Sequence, residues 1–401
     1  MFVNAVFLFV TLLVISPLEQ ILCDCDQRYV TFCDCVSDLG NYGSDSWTDV
    51  IIDSTQQSCS SSVINNNSFE ILEDIKLLFL VNSSNVIDRD AFKKIGKTLR
   101  LLKLYGNDLN HVRRGTFSGF RQLGGLNLTH NNIQFIEAFS FEDSVIISLD
   151  LSNNVLETIP QNAFYGGHIR QIIIKNNKLS FINDKAFDGH VEVLQLDYNS
   201  LEYIENGFLK NLPKLKELTM SHNRLSHISD IKSLGEVRKL DFSFNDINFI
   251  DTGEVEDLKE LTYFDLSNNK LETFSLEAFK KVKNRMTLLL SYNLLTNVKI
   301  QDNSKPMTVT TFGNPWNCKC LTKMEQKMIQ YNFTTTRCNL ELLRSGSFPI
   351  CVEDGDCQHK PTESRKDLRA FVEAINEKKN QLRCDVFRTI RSKDVVSFTP
   401  S

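Results

Sequence analysis

The side chains that most often carry out catalysis are scattered along this chain of 401 residues. The sequence contains no HExxH metalloprotease motif, no GxSxG nucleophile elbow, no phosphate-binding P-loop and no GxGxxG dinucleotide loop. An acidic group at Glu353, Asp354 and Asp356 lacks the ligand spacing of a calcium loop and is interpreted as a solvated loop. The histidines are equally dispersed: His111, His130, His168, His190, His222, His227 and His359. We therefore predict a protein that is not an enzyme and that uses no cofactor or metal.

Cysteine is the reactive residue type that does cluster, because all eleven lie before residue 60 or after residue 317. Residues 1–23 contain a short apolar run typical of a secretory signal, and cleavage after Cys23 would leave an even number of cysteines. Zinc is the alternative, but the one-residue spacings Cys33-x-Cys35 and Cys318-x-Cys320 have no paired histidines. We predict secretion and disulfide bonding of Cys25, Cys33, Cys35, Cys59, Cys318, Cys320, Cys338, Cys351, Cys357 and Cys384.

The elements that separate these clusters are marked by asparagines recurring every 22 to 24 residues. Each follows an apolar pair two residues apart, as Leu102 and Leu104 precede Asn107. Alternation with period two predicts a strand with one buried face, and a buried Asn can satisfy the backbone of the inward turn that follows. A degenerate first unit near residues 74–98 contains Leu77, Phe79 and Asn82. The regular ladder is Asn107, Asn131, Asn154, Asn177, Asn199, Asn223, Asn245, Asn269 and Asn293.

The frame LxxLxLxxNxL resembles the leucine-rich repeat. It implies an α/β solenoid, or horseshoe, with a parallel concave β-sheet, disulfide-bonded N- and C-terminal caps and a short C-terminal helix. A phenylalanine late in most repeats predicts a stacked spine under the convex side, at Phe117, Phe141, Phe164, Phe187, Phe208 and Phe279. We divide the chain into a signal peptide (1–23), an N-terminal cap (24–73), repeats (74–313), a C-terminal cap (314–360) and a helical tail (361–401).

The segment NPWNCKC at 314–320 resembles the C-terminal cysteine cap of extracellular leucine-rich repeat proteins. That resemblance implies the pairs Cys318–Cys338 and Cys320–Cys351 or Cys320–Cys357. The layout of both caps, with a predicted tail helix that carries Cys384, is similar to that of the leucine-rich immune molecules of mosquitoes. The resemblance implies a haemolymph protein that binds complement-like, thioester-containing proteins. Sustained heptads are absent, so a long coiled coil is not expected.

The concave face is the expected recognition surface, because its outward side chains form columns over many strands. Aromatic and charged residues of the later repeats are the predicted partner site: Tyr198, Phe244, Tyr263, Tyr292, Arg238, Asp241 and Asp265. Four sequons predict glycosylation at Asn66, Asn82, Asn127 and Asn332.

Two functions fit a secreted binding protein of this kind. One is an innate-immune factor that recognises a complement-like protein or a pathogen surface. The other is an adhesion or signalling ligand that binds a cell-surface protein. A net charge of −5 argues against nucleic acid as the partner, and the absence of a second long apolar stretch argues against a membrane anchor.

Overall fold

A computed structural model describes residues 30–32, 48–53, 63–70, 72, 74–81, 86–300, 306–338, 351–352, 371, 373–374 and 384–389. Its main feature is one sheet to which each coil of the chain adds a strand, so that neighbours in space are also successive in sequence. The predicted solenoid with a parallel sheet is therefore confirmed. The predicted signal peptide 1–23 and the predicted sequon Asn82 lie outside the described residues.

Fifteen strands form this sheet within the described part of the chain, and every neighbouring pair except the last is parallel. They are β1 (Val30–Phe32), β2 (Asp49–Asp53), β4 (Leu77–Val81), β6 (Leu101–Lys103), β8 (Leu123–Asn127), β10 (Val145–Asp150), β12 (His168–Ile173), β14 (Val193–Gln195), β15 (Glu217–Thr219), β16 (Lys239–Asp241), β17 (Tyr263–Asp265), β19 (Thr287–Leu289), β21 (Thr308–Thr310), β23 (Thr334–Cys338) and β25 (Cys384–Thr389).

Two-residue strands pair in parallel elsewhere in the coils: β3 (Val63–Ile64) with β5 (Val86–Ile87), β7 (His111–Val112) with β9 (Phe135–Ile136), β11 (Thr158–Ile159) with β13 (Phe181–Ile182), β18 (Phe274–Ser275) with β20 (Val298–Lys299), and β22 (Trp316–Asn317) with β24 (Cys351–Val352). The return segments contain 3₁₀ turns at Leu209–Asn211, Ile231–Ser233 and Leu276–Phe279, and helix α1 (Thr252–Val255). Helix α2 (Cys318–Gln330) follows the last regular coil. No helix in these described segments is both long and apolar enough to cross a membrane.

The asparagine ladder holds the coils together as the sequence predicts. The amide Nδ2 of Asn199 donates to the carbonyls of Ile174 (2.9 Å) and Leu196 (3.0 Å), and its Oδ1 accepts the N–H of Leu179 (3.0 Å). Each ladder asparagine thus satisfies backbone groups of its own coil and of the coil before it. Asn314 continues the pattern with 0% exposure, accepting from Leu295 at 3.1 Å.

The predicted phenylalanine spine is also present. Phe117, Phe141, Phe164 and Phe187 stack in sequence with ring centroids 4.9–5.6 Å apart. Phe69 and Phe92 extend the spine towards the N-terminus. Between Phe208 and Phe279 the buried residues Ile231 and Val255 occupy the corresponding places. Identical apolar residues stacked coil upon coil bury a surface that no single coil could bury alone.

The first coils depart from the predicted frame in two ways. Strand β2 pairs with β4, so the parallel sheet begins before residue 74, inside the segment predicted to be a cap without repeats. In β4 the buried residues are Leu78 and Leu80, whereas Leu77 and Phe79 are only half-buried. The predicted frame was therefore wrong by one residue, and a shift of one residue exchanges the two faces of a strand.

The tail departs from the predicted helix over Cys384–Thr389. These residues form β25, which pairs antiparallel with β23 and closes the sheet. Valine, phenylalanine and threonine favour a strand here, and the open edge of β23 supplies the backbone partners that a helix would not use. Phe371, Glu373 and Ala374 are helical, as predicted.

Five of the ten predicted disulfide positions lie in described strands or helices, and Cys320 is the one whose side chain is described. Cys320 is disulfide-bonded and buried near the start of α2. Its proposed pairing with Cys351 or Cys357, and the predicted bonds of Cys25, Cys35 and Cys59, lie outside the residues whose side chains are described. The backbone register of β23 and β25 places Cys338 opposite Cys384.

Candidate partner-binding site

The residue immediately before each ladder asparagine lies in the left-handed region of backbone space. The φ angle at these nine positions ranges from 51° to 66°, and the residues are Gly106, His130, Asn153, Asn176, Tyr198, His222, Phe244, Asn268 and Tyr292. Backbone hydrogen bonds to the next coil fix this conformation; the N–H of Tyr198 donates to the carbonyl of Ser221 at 2.9 Å. Glycine and asparagine tolerate it, whereas an aromatic residue is strained by about 1 kcal/mol.

Three consecutive coils place a ring at this strained position. The ring of His222 lies between Tyr198 and Phe244, with centroid distances of 4.1 Å to each and interplanar angles of 9° and 10°. Tyr198 is 51% exposed and Phe244 is 41% exposed. We call Tyr198, His222 and Phe244 the ring stack. Burial lowers the pKa of His222, although the charges of Asp197 and Asp241 oppose that shift.

A group of carboxylates lies beside the ring stack on the ends of the strands. Asp241 and Asp265 are register partners on β16 and β17. The hydroxyl of Tyr263 donates to Oδ2 of Asp265 at 3.1 Å, and the N–H of Ser267 donates to Oδ1 at 2.8 Å. Burial raises the pKa of Asp265 above its ordinary value, and the charge of Asp241 adds to the rise. Burial also raises the pKa of Tyr263, and both carboxylates reinforce this.

Asp197 has a different environment. It is 5% exposed, yet it accepts hydrogen bonds from the hydroxyls of Thr219 (2.7 Å) and Ser221 (2.9 Å) and pairs with Lys175 at 3.1 Å. Burial alone would raise its pKa, but these partners outweigh burial and hold the pKa below its usual value. This carboxylate is internally compensated, so it supports the coil rather than offering a charge to a partner.

The structure does not bring all the predicted site residues together. Tyr198 and Phe244 join the ring stack, while Tyr263, Asp241 and Asp265 lie next to it. Tyr292 instead leans on the last coil, with its ring 5.7 Å from that of Phe312 and against Gly313. Arg238 is exposed on the approach to β16, where its charge adds to the effect of Lys283, whose hydrogen bond lowers the pKa of Glu260.

His222 belongs to the ring stack but not to the predicted partner site. It stands 24 residues after Tyr198 and 22 before Phe244, at the same place in the repeat, and the sequence predicted only a solvated residue of the concave face there. That spacing was the available signal, because residues at equivalent positions of successive coils must be neighbours.

The sequons differ in their surroundings. Asn66 and Asn332 are exposed. Asn127 lies on the sheet, where its Oδ1 accepts both the N–H (2.9 Å) and the hydroxyl (2.8 Å) of Thr129. Its glycosylation stays a prediction, as does that of the other sequons.

Comparison with known proteins agrees with this architecture. Tsukushi of Xenopus tropicalis is 30% identical over 125 residues, covering 29% of this chain and 36% of Tsukushi. Chaoptin of Drosophila melanogaster is 36% identical over 73 residues, which is 18% of this chain and 6% of chaoptin. Decorin of Rattus norvegicus is 26% identical over 131 residues, covering 31% and 36% of the two chains. This chain thus spans only about a third or less of the length of these relatives.

Among solved structures, the Toll–Spatzle complex of Drosophila matches with a TM-score of 0.59 and 18% identity, over 84% of this chain and 50% of that one. The leucine-rich repeat domain of APL1B matches with a TM-score of 0.57 and 16% identity, over 90% and 95% of the two chains. At this identity the likeness concerns the fold.

The leucine-rich repeat family model matches residues 81–133, 121–168, 167–225, 189–247 and 235–295, together more than half of the sequence. With the ladder and the sheet described above, this places the chain in the leucine-rich repeat family.

Proposed function

We propose that this protein is a secreted, non-enzymatic binding factor of innate immunity, which recognises a complement-like protein or a pathogen surface through its leucine-rich repeats. The observation that carries the proposal is the ring stack. Two of its three aromatic side chains are about half exposed, at backbone positions that suit glycine or asparagine better. Exposed aromatic groups held rigidly are typical of the energetic centres of protein interfaces.

The relatives support a binding role in general terms. The Toll–Spatzle complex is a molecular hub in Drosophila development and innate immunity, and the similarity in fold of this chain is to a protein captured with a partner. The immune assignment for this chain rests on the layout of its caps and on its similarity in fold to the APL1B domain.

The alternative is a secreted adhesion or signalling ligand. The sequence relatives Tsukushi and chaoptin match at 30% and 36% identity over only 29% and 18% of this chain, so similarity does not decide between the two functions. Both functions use a protein-binding surface, so the experiment has to separate the partners as well as locate the site.

The test uses the double variant Tyr198→Asn with Phe244→Asn in the full chain. Asparagine already occupies this position in three other coils, so the variant keeps the backbone while removing two rings. Phe249→Asn is the matched control, because Phe249 is 58% exposed at another place in its coil. Binding is measured by biolayer interferometry against a purified thioester-containing complement protein, and by sedimentation with intact bacteria.

We expect wild type and the Phe249 variant to bind one of these probes with the same affinity. The double variant should bind that probe at least about tenfold more weakly, a loss of about 1.4 kcal/mol in binding free energy. Binding by wild type that the double variant retains in full would remove the ring stack from the site. Binding to cultured cells with no binding to either immune probe would favour the adhesion or signalling function.

A further inference from the structure

We infer that the ring stack, together with Tyr263, Asp241 and Asp265, takes a basic segment of a protein partner, seating an arginine or lysine against the rings and the two carboxylates. This inference rests on the proposed function and names the chemistry of the partner. It concerns the charge of the contact, whereas the test above concerns only the rings.

The first observation is that the two carboxylates have no basic partner within the described part of the chain. Oδ1 of Asp241 accepts the N–H of Ser243 at 3.0 Å and its hydroxyl at 2.7 Å. No hydrogen bond or ion pair reaches Oδ2 of Asp241 from the residues that the structure describes. Asp265 accepts from Ser267 and Tyr263, which are both neutral donors. The strands that carry the two carboxylates are about 4.8 Å apart, so their charges repel each other.

None of the described basic side chains, exposed Arg238 included, forms an ion pair with Asp241 or Asp265, and three lysines of neighbouring strands pair with other acids. Lys239 pairs with Glu217 at 2.9 Å, Lys216 with Glu192 at 2.8 Å, and Lys175 with Asp197 at 3.1 Å. The lowered pKa of His222 keeps its ring neutral at physiological pH, so it does not supply the missing cation. The described residues therefore leave the acidic pair without a counter-charge.

The second observation is the aromatic surround. A guanidinium or ammonium group near aromatic rings gains a cation–π attraction that strengthens as water is excluded. The ring stack lies on one side of Asp241, and Tyr263 lies against Asp265. Rings and carboxylates at one place suit a cationic side chain with an apolar stem. An anionic ligand would be repelled, and a neutral glycan would leave the carboxylates uncompensated.

The test uses a short fluorescein-labelled peptide that alternates arginine with leucine, and the same peptide with citrulline in place of every arginine. Citrulline keeps the shape of arginine but carries no charge. The protein variants are Asp241→Asn with Asp265→Asn, which keeps an acceptor oxygen for Ser243 and Ser267. Two exposed acids at a distance, changed as Glu157→Gln with Glu202→Gln, give the same change of net charge.

We expect the arginine peptide to bind wild type and the Glu157/Glu202 variant alike, and to bind the Asp241/Asp265 variant about tenfold more weakly. The citrulline peptide should bind wild type as weakly as the arginine peptide binds the aspartate variant. Equal binding of both peptides, equal loss in both acid variants, or no binding of the arginine peptide would overturn the inference. Binding of a complement protein or bacteria that requires the rings but not the aspartates would overturn it and leave the proposed function standing.

Discussion

Replacement of Asn199 by alanine tests the interaction on which the solenoid depends. Its side chain is 9% exposed and connects two coils through Ile174, Leu179 and Leu196. The substitution leaves the buried N–H of Leu179 without an acceptor, which costs about 2 kcal/mol, and two carbonyls lose a donor at about 0.5 kcal/mol each. We expect the free energy of unfolding to fall by about 3 kcal/mol.

Asn177 is the matched control because it makes equivalent bonds but is only half-buried. It donates to Leu151 and Lys175, each at 3.1 Å, and accepts from Leu156 at 3.0 Å. Water can replace a side chain that it can reach, so Asn177→Ala should cost about 1 kcal/mol.

Urea unfolding followed by circular dichroism compares the two variants, and hydrogen exchange follows the amide of Leu179 directly. A repeat array can unfold in parts, so local exchange shows where stability is lost. Protection at Leu179 should fall in the Asn199 variant while that at Leu271 stays unchanged. Equal losses for both asparagines, or a loss below about 0.5 kcal/mol for Asn199, would refute the reasoning from burial.

Three further outcomes are expected. Gly313→Ala places a Cβ 2.6 Å from the ring of Tyr292 at a φ of 71°, so the free energy of unfolding should fall by about 2 kcal/mol and the melting temperature with it. Gly235→Ala has open space around the new Cβ and should change the melting temperature little. Folding raises the pKa of Asp265, so the folded state binds more protons than the unfolded state, and the free energy of unfolding falls as pH rises from the unfolded towards the folded pKa. Asp265→Asn should remove this loss and stabilise the protein at neutral pH. Urea titrations of both proteins between about pH 4 and pH 7 would show the difference. The register of β23 and β25 predicts a Cys338–Cys384 disulfide, which non-reducing peptide mapping by mass spectrometry would detect. Detection of Cys318–Cys338, the pair implied by the family resemblance, would contradict this prediction.

The regular coils were predictable because each buries its apolar residues and satisfies the backbone of its inward turn in the same way. The asparagines from Asn107 to Asn293 and the phenylalanines from Phe117 to Phe208 recur at nearly regular intervals. Because the coils stack, residues at the same position of successive repeats contact each other. Periodicity therefore predicted the sheet, its direction and the buried columns.

Periodicity failed where neighbouring residues did not alternate. The segment Leu77–Val81 reads LLFLV, so no pattern shows which residues face the core, and the frame was placed one residue too early. In the tail, apolar spacing suggested a helix, but β23 offered an edge for a strand at Cys384–Thr389. Such a partner is distant in sequence and cannot be read from local spacing.

The site was only partly predictable for a different reason. Tyr198 and Phe244 were identified as exposed aromatic residues, but backbone conformation is not visible in a list of residue types. The left-handed φ at their position shows that they are unusual, and it brings His222 into the group. Conversely, Tyr292 shares that conformation but packs on Phe312 and Gly313. Residue type and repeat position together were therefore not sufficient to identify the residues of the ring stack.

The ring stack lies at a backbone position that asparagine adopts with less strain. An aromatic ring in left-handed backbone costs about 1 kcal/mol relative to the asparagines at Asn153, Asn176 and Asn268, which offsets part of what the rings gain by stacking. The same place holds two carboxylates without a basic partner among the described residues. Strained rings and uncompensated carboxylates lie side by side on the sheet, although Asp265 is only 8% exposed. The arrival of a cationic, partly apolar group from another molecule would stabilise both, which is why we propose binding as the function of this arrangement.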